Sequence, residues 1–163
     1  MVAMIQCIDA LICICQPVRS STLGVGVLIT ESIAIVLYLT DKFAAAGLGP
    51  QVGDAKRGPY LSWLAYYAGV MEPVVTLGFA GLADNADMQR TFRDRGAMDR
   101  RVLAALENGS YILGEKCSGA DILIASIGQF SRAMLPAGPV VDAYPERCNA
   151  RPALARAPAK DRG

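Results

Sequence analysis

At 163 residues the chain has the length of one domain or a domain and a half, which excludes a large multidomain enzyme. Hydrophobic residues make up 53% and charged residues 19%, so there is apolar material for a packed core and disorder of the whole is excluded. With 16 Lys and Arg against 15 Asp and Glu the net charge is +1, and no overall field draws the chain to nucleic acid or to an anionic membrane. Histidine is absent. Ser-His-Asp and Cys-His catalysis, imidazole zinc sites and the usual pH switch are excluded with it.

Met1 to Cys15 is apolar but holds Asp9, lacks a basic leading region and lacks a small-residue cleavage site. It does not read as a secretion signal and is too short to span a bilayer. The cysteines at 7, 13, 15, 117 and 148 are an odd set that builds no disulfide framework, so free thiols in a reducing cytosol are expected. Cys13-x-Cys15 has the wrong spacing for a thioredoxin-like redox pair, and no metal is expected there. A second apolar run, Leu23 to Leu39, carries Glu31 at its middle, which opposes a membrane span.

Val27 to Thr30 is a β-prone run that hands over at Thr30-Glu31-Ser32 to a helix. Ile33, Val36, Leu37 and Phe43 form its apolar stripe, and Gly47 with Gly49-Pro50 ends it. The Glu31-Ser32 corner has two readings. A helix N-terminus offers amides and a positive dipole end to a ligand carboxylate, and Glu31 can hold an ammonium, which suits the α-amino acid end of a small peptide. Alternatively, Thr30 or Ser32 simply caps the helix. Leu48 to Gly53 then reads as a linker and a domain boundary.

From Asp54 to Ala83 the pattern predicts a long helix with Pro59 in its first turn and Pro73 as an internal kink or break. Tyr60, Trp63, Tyr66 and Tyr67 make an aromatic segment of that helix, for a core or for the edge of an apolar pocket. A second helix is expected over Asn85 to Asn108. It carries Met88, Phe92, Val102, Leu103 and Leu106 on one face and Arg90, Arg93, Arg100 and Arg101 on a solvated one. Arg95 and Asp99, spaced i,i+4, project into the apolar face as an internal or interface ion pair, or as the polar wall of a pocket.

A third helix starts at Ser118-Gly119-Ala120-Asp121, ahead of the apolar run Ile122 to Ile127. Ser118 accepts from the amide of Asp121 and the Asp121 carboxylate accepts from the amide of Ser118, a capping box with Asp in place of Glu. Cys117 and Ile122 stand where a hydrophobic staple would, so Cys117 reads as a small core residue rather than a reactive thiol. Tyr144-Pro145 leads into a short helical turn to Cys148. Pro152 opens a last helical piece before a loose tail beyond Ala157.

Three segments resemble the glutathione S-transferases. Thr30-Glu-Ser-Ile-Ala-Ile-Val-Leu-Tyr-Leu39 is similar to the segment that follows the last strand of their thioredoxin-like domain. Tyr111-Ile-Leu-Gly114 followed by Ser118-Gly-Ala-Asp121 resembles their Tyr-Leu-Leu-Gly and the buried capping box of their all-helical domain. Tyr144, with Arg151-Pro152-Ala153 and Arg156-Ala157, resembles their C-terminal tail. The segments occur in the family's order, and the resemblance covers Val27 to Asp161.

The resemblance implies a mainly α fold. An all-helical C-terminal domain over 54–163 follows a remnant of a thioredoxin-like α/β domain over 1–47, of which 1–26 is unmatched. It implies a cytoplasmic homodimer that takes glutathione as a substrate and conjugates it to an apolar electrophile in detoxification, without metal, nucleic acid or membrane partners. Carried over by residue, Glu31 and Ser32 hold the γ-glutamyl end of glutathione. Tyr66, Tyr67 and Met71 lie on the helix that faces the co-substrate pocket, and Ser118 and Asp121 are structural. The family's catalytic Tyr, Ser or Cys has no counterpart within 1–26, and Pro17-Val18 shows its Val-cis-Pro letters reversed, so no catalytic group is assigned. That departure implies a second reading, a truncated and catalytically inactive member acting as a binding or dimerisation module.

Overall fold

The computed structural model describes residues 29–152. Of the expected strand at Val27 to Thr30, the first two residues lie outside the described residues, and Ile29 and Thr30 are irregular. Cys7, Cys13, Cys15 and the tail also lie outside them. Helix α1 (Ser32–Lys42) is followed by a 3-10 turn at Ala44–Ala46. It closes at Gly47, whose φ of 66° is left-handed backbone that glycine adopts without strain.

The segment 48–53 is fastened by polar ties. Arg57 donates to both oxygens of Asp41 at 2.6 and 2.9 Å and to the carbonyl of Pro50 at 2.8 Å. The fork of Arg57 holds the Asp41 carboxyl below its ordinary value. Gln51 donates to the carbonyls of Thr40 and Gly49, and the amide of Gly119 donates to the carbonyl of Leu48 at 2.7 Å.

The helix expected over 54–83 is divided. Helix α2 (Arg57–Tyr66) runs into a widened, π-type turn at Tyr67–Met71, and α3 (Glu72–Phe79) continues from it. Pro73 is the cause that the sequence supplies. It has no N–H for the carbonyl of Gly69, and its ring would strike that carbonyl in an unbroken α-helix, so the backbone widens just ahead of it.

A second division corrects the single helix expected over 85–108. Helix α4 (Ala86–Phe92) ends at Arg93, which adopts φ 72°, and α5 (Arg95–Glu107) starts afresh. Asp94 accepts from the amide of Ala97 at 2.7 Å, and Asn85 accepts from the amides of Asp87 and Met88 at 3.1 Å each. Each cap satisfies donors that a helix start leaves free, worth about 1 kcal/mol. Met88 and Phe92 therefore do not share one continuous face with Val102, Leu103 and Leu106. Arg95 pairs with Asp99 at 2.7 Å and also donates to the carbonyls of Ala133 and Leu135. Of the readings open in the sequence, an ion pair is the one observed, partly exposed, and the bonds of Arg95 to the carbonyls of Ala133 and Leu135 tie that segment to α5.

Helix α6 (Gly119–Phe130) is central, touching α1, α2, the π-type turn and α7 (Pro139–Asn149). Leu123 and Ile124 are fully buried, with Tyr60, Met71, Met98 and Val102 around them; each such side chain contributes about 1.5–3 kcal/mol. Helix α7 is a full helix rather than the short turn expected near Tyr144-Pro145. Pro139 opens it, where a missing N–H costs nothing, and Pro145 lies inside it. Among the described residues no helix is long and apolar enough to cross a membrane.

Ser118 and Asp121 form the capping box. Asp121 has no exposed surface, and its carboxylate accepts from the amide and hydroxyl of Ser118 at 2.8 and 2.7 Å. It accepts as well from the amide of Ile112 at 2.8 Å and the hydroxyl of Tyr144 at 3.0 Å. Tyr111 and Gly114 exchange backbone bonds of 2.7 and 2.9 Å, which turns the chain so that the amide of Ile112 faces that carboxylate.

Candidate functional site

The corner singled out by sequence is the start of α1. Glu31 stands immediately before the helix with φ 68° and ψ 121°. A non-glycine residue there stores about 1–3 kcal/mol of strain, and such residues concentrate at ligand clamps and active sites. Among the described residues neither Thr30 nor Ser32 makes a side-chain hydrogen bond, and no side chain caps α1. The simple capping alternative is therefore not realised. Glu31 is exposed, and Ser32 is half-buried.

A residue not singled out by sequence joins them. Glu72, half-buried as the first residue of α3, lies within the electrostatic reach of Glu31 and takes a hydrogen bond from Tyr67. Burial pushes its carboxyl above the ordinary value, the Tyr67 bond works against this, and the charge of Glu31 adds to the rise. A second carboxylate therefore lies within electrostatic range of the helix N-terminus at Glu31. Such a corner favours a cation beside a carboxylate, the two charges of an α-amino acid.

Tyr66 and Tyr67 are each 6% exposed and Met71 is 0% exposed, so all three are packed into the helical core. The Tyr66 ring meets Trp63 edge-on, with centroids 5.6 Å apart. The Arg101 guanidinium lies 3.9 Å from the Tyr66 centroid and 4.6 Å from that of Trp63. Arg101 is exposed, as expected of a solvated face, and its guanidinium also covers these two rings. The hydroxyl of Tyr66 is buried without a hydrogen-bond partner, and burial raises its phenol pKa. Such an unmet donor costs about 1–3 kcal/mol. Among the described residues no group of three or more His, Cys, Asp or Glu is gathered to hold a metal ion.

No protein-family model matches the sequence, and no curated protein matches it. Solved structures do match. The ternary complex of BphK, a bacterial glutathione S-transferase, superposes with a TM-score of 0.65 at 23% identity over 83% of this chain and 69% of that one. A glutathione transferase from Methylococcus capsulatus strain Bath gives 0.60 at 26% identity, over 83% of this chain and 68% of the other. A sphingomonad glutathione S-transferase, solved in complex with glutathione, gives 0.60 at 26% identity over 83% and 69%. The mostly helical arrangement built on α6 and its buried capping box is the fold of the bacterial glutathione S-transferases, matched over 83% of the chain.

Proposed function

We propose that the chain belongs to the glutathione S-transferase family and binds glutathione at the start of α1. The observation that carries this reading is the strained backbone of Glu31 at the head of a helix that no side chain caps, in a chain with that family's fold. The Glu31 carboxylate takes the γ-glutamyl ammonium. The Ser32 hydroxyl and the first amides of α1 take the neighbouring carboxylate. Glu72, within electrostatic range of Glu31, adds negative charge that favours the zwitterionic end of the peptide over a simple dicarboxylate.

The co-substrate is an apolar electrophile held beside the helix that carries Tyr66, Tyr67 and Met71. The protein acts as a cytoplasmic homodimer, with a partial thioredoxin-like region up to residue 47, of which 1–26 is unmatched, and 54–163 as the helical domain.

Isothermal calorimetry with reduced glutathione tests the binding half of this proposal, and conjugation to an electrophilic aromatic substrate tests the catalytic half. Glu31→Gln removes a charge-assisted bond of about 1.5–3 kcal/mol, so glutathione binding weakens about 10- to 100-fold. Ser32→Ala weakens it less. Absence of binding in the unaltered protein overturns the assignment of Glu31 and Ser32. Binding without turnover selects the second reading, a glutathione-binding or dimerising module.

A further inference from the structure

The C-terminal end of α5, the loop that follows it and one face of α7 border an open cleft of about 510 Å³, the size of a small-ligand site. It shares no residue with the proposed glutathione site. Its apolar wall is Leu106 together with Pro139, Val140 and Ala143, whose spacing along α7 puts them on the face that also carries Arg147. Val140 is 38% exposed, so the chain itself leaves this wall open.

Beside the wall, two opposite charges are anchored on a single residue of the loop. Arg147 donates to the carbonyl of Ser110, and the Ser110 hydroxyl donates to the Glu115 carboxylate at 2.9 Å. The Arg147 guanidinium also lies 5.9 Å from the centroid of the Tyr111 ring. Guanidinium and carboxylate are thus held across the width of Ser110, yet among the described residues neither makes an ion pair. Each has capacity left, since a guanidinium carries more donors and a carboxylate more lone pairs than these bonds use. The loop that sets the spacing is tight. Tyr111 and Gly114 exchange backbone bonds, and a methyl group on Gly109 would stand 2.6 Å from the Cα of Gly114. The arrangement therefore exists before a ligand arrives. Glu107 and the carbonyl end of α5 at Asn108 add negative potential to the cleft. A simple carboxylic acid is repelled, and one that brings its own ammonium is favoured.

We infer that this cleft binds a free α-amino acid with an apolar side chain. Arg147 takes the carboxylate and Glu115 takes the ammonium. The side chain lies on Leu106, Val140 and Ala143. An α-amino acid fits because it carries both charged groups on one carbon, as the protein carries their counterparts on either side of one serine. A peptide end supplies only one of the two charges and leaves the other protein group unanswered.

Isothermal calorimetry with L-phenylalanine on the unaltered full chain is expected to give saturable binding with a Kd below about 1 mM. N-acetyl-L-phenylalanine, which lacks the ammonium, and L-phenylalaninamide, which lacks the carboxylate, each bind at least about 10-fold more weakly. Glu115→Gln and Val140→Asp, both at exposed positions, each weaken phenylalanine binding at least about 10-fold. Glu31→Gln leaves phenylalanine binding unchanged, which separates the cleft from the corner at α1. Absence of phenylalanine binding in the unaltered protein overturns the site, as does binding that survives both cleft substitutions. An acetylated or amidated analogue that binds as tightly as phenylalanine overturns the pairing of Arg147 and Glu115 with one amino acid.

Discussion

Asp121 is a charged side chain with no exposed surface, and it is tolerated because four donors converge on its two oxygens. Replacing it strands those donors in the core. Asp121→Ala should therefore lower the unfolding free energy by about 3 kcal/mol or more, and Ser118→Ala by about 1 kcal/mol, in urea titrations. Unchanged midpoints in both would show that the box is not a structural keystone. Glu72 gives the opposite sign. Burial, reinforced by Glu31, raises its folded-state pKa above the ordinary 4.5. The folded protein then binds that proton more tightly than the unfolded chain does. Its charge therefore costs stability above the raised value, and the cost disappears as the pH falls below 4.5. Glu72→Gln should raise Tm at pH 7, with the two proteins converging in acid. A difference that grew toward acid would contradict the raised Glu72 carboxyl.

At the scale of helices, α1 and α6 approach so closely that the contact admits only glycine. A methyl group on Gly119 would strike Val36 and stand 2.7 Å from the Tyr60 hydroxyl. Those partners belong to α1 and α2, which are held together by the 3.1 Å bond between Thr40 and Tyr60. Gly119→Ala should thus cost about 1–3 kcal/mol by overpacking, although alanine is the better helix former. Thermal melts compare it with Gly58→Ala, a control whose added methyl meets nothing within 4 Å. The break between α4 and α5 is a second device at this scale. Asp94→Ala should cost about 1 kcal/mol through loss of the cap. The sequence carried the letters for this cap, but Met88 and Phe92 continued the apolar period closely enough to conceal it. The cap on α6 was legible for the contrary reason: Ser118 and Asp121 precede an apolar run with no competing pattern before it.

For the molecule as a whole, the fold rests on α6, against which α1, α2 and α7 pack. Chain-local chemistry determined much of this: Gly47 as a helix end, Pro73 as a break, the box at Ser118 and Asp121, and the absence of every histidine mechanism. These are readable because each depends on residues a few positions apart. The Glu31-Ser32 pair was legible as a corner suited to an amino acid, whereas the positive φ at Glu31 was not, since glutamate has no preference for it. The stacking of Arg101 on Tyr66 and the bonds from Arg95 to the carbonyls of Ala133 and Leu135 were decided only by tertiary structure. They join residues about 30 or more apart in sequence, and their distances depend on how whole helices pack, a result of the summed burial of many side chains that no local pattern encodes.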